Sequence, residues 1–343
     1  MKENIYGKTR EELAAYFSAL AASPAKADFL FRALYQGDFE TAFGISESLK
    51  NKLKEDFSFF LPQVIERRED DTACKLLLLL EDGNAVETVR MKEPYGNAVC
   101  VSTQVGCNMG CVFCESGRQK KVRDLTAAEI TAQVLLAEID ANEPIDSVTL
   151  MGIGEPFDNF DAVMTFTKIV TDDFGLCVAP RRVTVSTAGL VPQIDRFCES
   201  GTKCNLAVSL HAPNDDLRRE LMPVARKYPL SELIPAVRRF AEKHNRRVTM
   251  EYILLKGVND SPEQAGELAE LLRGIKCYVN LIPYNETEHL SFYASDRERI
   301  MAFYDVLKKN GISVTMRRKM GGDLDAACGQ LRSRRLRNKL QNR

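Results

Sequence analysis

From about residue 96 onward, strand-like apolar runs alternate with segments of helix length, and this alternation narrows the folds open to the chain more than any other feature. Strands are predicted at 98–103, 147–151, 182–186, 205–210, 248–253, 278–282 and 313–316, with helix-length segments such as 126–141 and 231–243 between them. Alternating β and α units imply a parallel sheet with right-handed crossovers. The number of units suits a barrel or partial barrel, with functional groups on the loops beyond the strand C-termini. Before this region the pattern differs. Residues 1 to about 60 read as three helices. Thr9 and Glu12 form a capping-box signature, and Leu13, Phe17 and Leu20 follow on one helical face. Ser23-Pro24 marks a second helix start, and Ser46 caps a third helix carrying Leu49 and Leu53. Residues 75–80 and 85–90 read as strands joined by Asp82-Gly83, a hairpin signal. The expected organisation is a helical module over 1–60, a β linker over 61–95, the α/β domain over 96–320, and a C-terminal loop and tail over 321–343.

The chain has 343 residues, enough for a catalytic domain and a smaller accessory one. The apolar run 76–80 is far too short to span a bilayer. Residues 1–12 are polar and charged, without the apolar stretch of a signal peptide. The expectation is therefore a cytoplasmic protein with no membrane association, in a reducing compartment. There, ten cysteines point to metal binding, catalysis or simple burial rather than a static disulfide framework. The net charge of −1 neither demands nor excludes nucleic acid. Its distribution is more telling: Arg332, Arg334, Arg335, Arg337, Lys339 and Arg343 follow Asp325 with no further acidic residue. Arg317, Arg318 and Lys319 lie just upstream. Such a tail suits a polyanion, and equally suits a solvated terminus.

The strongest chemical signal is Cys107-Asn-Met-Gly-Cys111-Val-Phe-Cys114, directly after a predicted strand. Three thiolates at this spacing can wrap one cubane iron–sulfur cluster and leave its fourth iron open, since such clusters normally take four cysteines. Gly110 lets the loop bend between ligands. Zinc is the alternative, but no further Cys or His pair lies close by. Further polar groups follow successive strands: Gly152, Gly154 and Glu155 in Met-Gly-Ile-Gly-Glu-Pro, Ser186 in Ser-Thr-Ala-Gly, Ser209-Leu210-His211, and Asn285. Each alone is most simply a turn or a cap. Their repetition after strand after strand is what points to a site.

The CxxxCxxC run resembles the signature of the radical S-adenosylmethionine (SAM) superfamily, and Phe113 stands where that superfamily commonly has an aromatic residue. The wider set resembles the RlmN/Cfr family of RNA adenine methyltransferases over essentially the whole chain. It comprises Cys100-Val-Ser-Thr-Gln-Val-Gly-Cys107, Met-Gly-Ile-Gly-Glu-Pro, Val-Ser-Thr-Ala-Gly, Ser-Leu-His, Gly-Val-Asn-Asp-Ser-Pro and Asp325-Ala-Ala-Cys328-Gly-Gln-Leu331. The resemblance implies a partial (β/α)6 barrel with a small N-terminal helical domain and a short β linker. It implies a [4Fe–4S] cluster on Cys107, Cys111 and Cys114, and SAM held by Gly154, Glu155, Ser186, Ser209, Leu210, His211 and Asn285. Two SAM would be used per turnover. Cys328 would take a methyl from one; a 5′-deoxyadenosyl radical from the other would remove hydrogen from that S-methyl group. The carbon radical would add to the adenine, and Cys100 would attack the Cys328 sulfur, releasing product and leaving a transient disulfide. Glu87, thirteen residues before Cys100, would be a proton acceptor, although alone it reads as an exposed strand residue. Gly321, Gly322 and Gly329 suit a mobile loop carrying Cys328.

The substrate implied is C2 of an adenosine in 23S rRNA, with tRNA as a further candidate, and the N-terminal module is a candidate RNA-binding element. The electron donor would be a flavodoxin or ferredoxin, and the protein a monomer. Pro156 favours C2 over C8 regiochemistry, the nearest alternative being Cfr-like C8 methylation that confers antibiotic resistance. A charged run after the cluster, Glu115-Ser-Gly-Arg-Gln-Lys-Lys-Val, and Val224-Ala225 depart from the family's usual pattern. They bear on substrate choice more than on chemistry. Two other readings are a radical SAM enzyme with a non-RNA substrate and a non-enzymatic iron–sulfur or zinc RNA-binding regulator. Cys74, Cys177, Cys198, Cys204 and Cys277 are expected to be buried hydrophobes, and His244 and His289 surface residues.

Overall fold

The structure, a computed structural model, describes residues 2–287 and 289–317. Three helices open the chain: α1 (Arg10–Ala19), α2 (Lys26–Gln36) and α3 (Glu47–Asp56). At α1 both capping-box bonds form, between Thr9 and Glu12. Ser46 caps α3 by accepting from the Leu49 N–H. Helix α2 begins later than the Ser23-Pro24 signal suggests, because Lys26 N closes a turn on Ser23 O and the helix starts beyond it.

Four antiparallel strands come next: β1 (Gln63–Glu69), β2 (Ala73–Leu79), β3 (Ala85–Glu93) and β4 (Gly96–Cys100). Gly83 takes φ +79° at the β2–β3 turn, as the Asp-Gly pair implied. Sequence reading missed β1, whose Glu66, Arg67, Arg68 and Glu69 carry no apolar alternation. A short ribbon, β5 (Gln104–Val105) with β6 (Arg123–Asp124), leads into the alternating region. That region runs α4 (Ala127–Ala141), β7 (Ser147–Leu150), α5 (Phe160–Val170), β8 (Val183–Thr187), α6 (Val191–Glu199) and β9 (Asn205–Ser209). It continues α7 (Asp215–Leu221), α8 (Leu230–Lys243), β10 (Val248–Leu254), α9 (Pro262–Leu271), β11 (Cys277–Pro283), α10 (Arg297–Lys309) and β12 (Val314–Met316).

Among the described residues the main sheet has ten strands in the order β1-β2-β3-β4-β7-β8-β9-β10-β11-β12. Pairing is antiparallel as far as β4 and parallel from β4 to β12, as the alternation required. The segment expected as a linker is thus built into the sheet: Val89 of β3 lies opposite Cys100 of β4, and Lys75 of β2 opposite Val89. The helical N-terminus shares one continuous core with the α/β region, joining Phe17, Leu30 and Phe31 to Val134, Phe166 and Ile169. Arg10 pairs with Asp28 and Asp172, and Gln36 donates to Gly175 O, fixing the two parts together.

Candidate active site

A cavity of about 700 Å³ opens at the C-terminal ends of the parallel strands, where an α/β barrel places its chemistry. Cys107, Cys111 and Cys114 all line it, on the loop beyond β5. Gly110 takes φ +67° within that loop. Cys107 N donates to Gln119 O and Val112 N to Leu221 O, so the loop is tied to both neighbouring segments. Burial is the main force on these thiols. It pushes Cys107 up to about 12, with Cys114, Glu155 and Asp158 adding repulsion against the Met109 backbone bond. Burial also raises Cys111 well above the ordinary thiol range, followed by the charges of Cys114 and Cys107. Three thiolates in this space therefore call for a compensating cation. Among the described residues no group of His, Cys, Asp or Glu side chains is gathered to hold a single metal ion. A cubane is a larger body than one ion and takes its thiolates at wider separation.

Opposite this loop lie the groups predicted from the strand ends: Gly152, Gly154, Glu155, Ser186, Ser209, His211 and Asn285 all line the same cavity. A Cβ at Gly152 would stand 2.7 Å from Val101 O, so that loop passes hard against the strand leading to the cysteines. Glu155 accepts from Phe157 N at 3.0 Å and Ala188 N at 2.7 Å, while its own N–H donates to Gln104. Complete burial pushes its carboxyl up to about 7, against the pull of those two N–H groups. The His211 Nδ1 accepts from Ile253 N at 3.1 Å, and its ring meets Phe113 edge-on. Burial, then the Arg218 charge, lowers this imidazole to about 3, so it is neutral at physiological pH. Asn285 presents a buried Oδ1 with no hydrogen-bond partner among the described residues.

Leu210 differs from expectation: its side chain is fully buried in the main core and does not line the cavity. The strand period of two turns it away from the face that Ser209 shares. Its backbone stays close to the site, because its carbonyl accepts from Arg218 Nε. Cys100 is 4% exposed and lines the cavity at the end of β4. Glu87 is not the exposed strand residue its sequence context suggested: it is 3% exposed, buried beside Lys75 of β2. Its Oε2 pairs with Lys75 Nζ at 3.6 Å. Cys328 lies outside the described residues, as do Gly321, Gly322, Gly329 and the basic residues from Arg318 on. Cys74, Cys198, Cys204 and Cys277 are buried as expected, but Cys177 is exposed. It takes φ +56° in the turn after α5, which directs it outward. His289 is exposed; His244 is half-buried, stacked on Phe240 with Nε2 3.0 Å from Cys198 O.

Several site groups escaped sequence reading. Arg218 is wholly buried and donates to the carbonyls of Ala188, Ser209, Leu210 and Tyr228, which clips the ends of β8 and β9 to the segment before α8. Across β9 to β12 runs a row in register, Ser209, Glu251, Asn280 and Thr315. Thr315 donates to Asn280, and Asn280 to Glu251. Glu251 had no signal in a run, Val-Thr-Met-Glu-Tyr-Ile-Leu, that otherwise reads as plain core strand.

A family model, the Radical SAM superfamily, matches residues 101–272. A relative from Enterococcus faecalis named "Probable dual-specificity RNA methyltransferase RlmN" is 49% identical, covering 98% of each chain. The chain belongs to the RlmN family of the radical SAM superfamily. An RlmN relative from Caldanaerobacter subterraneus is 46% identical over 97% of this chain and 99% of its own. The crystal structure of a radical SAM methyltransferase from Sphaerobacter thermophilus superposes with a TM-score of 0.90 at 41% identity, covering 96% of this chain and 98% of that one. Radical SAM membership implies a [4Fe–4S] cluster and SAM. The residues present fit both. Three thiols that line one cavity supply a cluster's ligands, and the tight Gly152 approach, the Glu155 carboxyl and the Asn285 Oδ1, unpartnered among the described residues, form a polar cradle beside them.

Proposed function

We propose that this RlmN-family protein transfers a methyl group to C2 of an adenosine in 23S rRNA, and also acts on tRNA, through a methyl carried on Cys328. The observation that carries this reading is the place of Cys100. It is a cysteine outside the cluster motif, yet it lines the same cavity as Cys107, Cys111 and Cys114. A cluster needs no such residue; a thiol that must break a covalent bond at the site does. Adenine C2 is an electron-poor ring carbon and no nucleophile, so direct displacement on SAM fails, whereas a thiolate displaces well.

Cys328 takes a methyl group from SAM. Cys107, Cys111 and Cys114 would hold the cluster, which would supply, from a donor such as flavodoxin or ferredoxin, the electron that splits a second SAM. Glu155 and Asn285 orient the SAM amino-acid end, with Ser186, Ser209 and the neutral His211 along the rest of the molecule. The 5′-deoxyadenosyl radical from that SAM would take a hydrogen atom from the S-methyl group of Cys328, and the carbon radical would add to C2, linking the RNA to Cys328. The adduct would lose one electron, returned to the cluster, and its C2 proton, accepted by Glu87; Cys100 would then attack the Cys328 sulfur, forming the S–S bond and breaking the C–S bond, whose electron pair goes to the carbon and is protonated to give the methyl group. The N-terminal helices and the basic residues from Arg317 onward are the parts of the chain left to grip the RNA.

The test uses the cluster-reconstituted protein, reductant, SAM and RNA carrying deuterium at adenine C2 or C8. Loss of the C2 label in methyladenosine is expected. Loss of the C8 label would keep the mechanism and overturn the regiochemistry. SAM cleavage without any RNA product would overturn the substrate.

A further inference from the structure

The cavity wall formed by β2, β3 and β4 carries the small or apolar side chains of Ala73 on β2, Val89 and Met91 on β3, and Cys100 on β4. Lys75 and, at the end of β3, Glu93 are the charged residues of these strands that line it, and Glu87 lies buried next to Lys75. Lys75 is 2% exposed and lines the cavity; Glu87 is 3% exposed and pairs with it at 3.6 Å. Lys75, Val89 and Cys100 form one cross-strand row, and Glu87 sits one pleat along β3 from that row. The Glu87 backbone is held as well, since its carbonyl accepts from Ser102 Oγ at 2.7 Å. Taking two charges out of water is costly, and an apolar pair of the same volume would fill a wall at no such cost. A lone buried carboxylate would be costlier still. Helix propensity, turn chemistry and core packing ask for neither residue here.

We propose that Lys75 is a positioning residue for the methyl-transfer reaction. It holds the Glu87 carboxylate, beside Cys100, in the pose from which that group accepts a proton. The inference rests on the reading of Glu87 as proton acceptor given above. It assigns Lys75 no contact with SAM or the cluster. Its removal is therefore expected to act late, after SAM has been cleaved and the RNA joined to Cys328.

The experiment is single-turnover methylation by the reconstituted full-length protein, with SAM and an unmodified 23S rRNA transcript fragment. Lys75→Gln, Lys75→Arg and Glu87→Gln are compared with the unchanged chain. Four readouts are taken: methylation of Cys328 by intact mass, 5′-deoxyadenosine released, RNA covalently held on denaturing gels, and free methyladenosine. Lys75→Gln is expected to methylate Cys328 and cleave SAM as the unchanged protein does. It should release methyladenosine about tenfold or more slowly, as loss of an orienting partner typically does, and accumulate the RNA–protein species. Lys75→Arg keeps a charged partner for Glu87 and is expected to clear that species faster than Lys75→Gln. Lys75→Gln releasing product at the unchanged rate while Glu87→Gln stalls would overturn this inference alone. A parallel fall of Cys328 methylation, SAM cleavage and product would also overturn it, since that is what general damage to the fold gives. Normal release by Glu87→Gln would overturn the proton-acceptor reading itself, and the role of Lys75 with it.

Discussion

Gly154 takes φ +112°, and a Cβ there would meet the Gln104 side chain and backbone at 2.7 to 2.8 Å. Gln104 is itself fixed by donating to Asp124 and Asp158, so it cannot yield freely. Gly154→Ala is expected to cost about 1–3 kcal/mol from backbone strain alone, and to weaken SAM binding as Glu155 is displaced. Thermal unfolding and SAM titration measure the two. His211 offers a pH test. Its folded value of about 3 lies below the ordinary 6.5, so the unfolded chain binds the extra proton. The stability it allows is present above pH 6.5 and is lost as pH falls below that value. The loss is at most about 1.4 kcal/mol for each pH unit. In urea unfolding, the unchanged protein should lose stability relative to His211→Gln between about pH 7 and pH 5. A difference that stays flat across that range would contradict the burial of a neutral imidazole.

Elements were legible where their ends carry chemistry. The strands leading to Gly152, Ser186, Ser209 and Asn285 fall where alternation and the adjoining polar residue placed them, whereas the run expected before Cys107 is broken into β4, ending at Cys100, and the short β5 of a separate ribbon. Orientation and partnership were not legible. Leu210 sits inside a polar motif but turns into the core, and Glu87 looks like a surface carboxylate but is buried beside Lys75. Arg218 lies in Asp-Asp-Leu-Arg-Arg-Glu-Leu, which reads as a solvated amphipathic helix. Only the tertiary fold shows that it clips the loops after β8 and β9 to the segment before α8. Burial lowers its guanidinium to about 10, and carbonyl acceptors on every side offset part of that cost. Arg218→Lys keeps a cation but cannot span the same acceptors. It should cost about 3 kcal/mol through carbonyls left unsatisfied, seen as a lower melting temperature together with weaker SAM binding. Retention of both would show that the clip is dispensable.

At the scale of the whole molecule, the sequence divides the chain at 60 and 95, while the structure packs both of the earlier segments against the α/β region. The helical N-terminus shares the main core, and Gly7 runs so close to α4 that a Cβ would stand 2.9 Å from Ala128 N. The apolar stripes of the three helices were visible, but not that the α/β region covers them. Removing residues 2–60 is therefore expected to abolish cooperative unfolding of the remainder rather than leave an intact catalytic unit, which circular dichroism on the truncated chain would register. One comparison decides whether the methyl reaches RNA by way of Cys328. Unchanged protein and Cys328→Ala, both reconstituted and reduced without oxygen, are given SAM and unmodified 23S rRNA fragments, and the digested RNA is analysed for methyladenosine by mass spectrometry. The unchanged protein is expected to give 2-methyladenosine and Cys328→Ala none, with SAM cleavage persisting in both. Methyladenosine formed by Cys328→Ala would contradict that route.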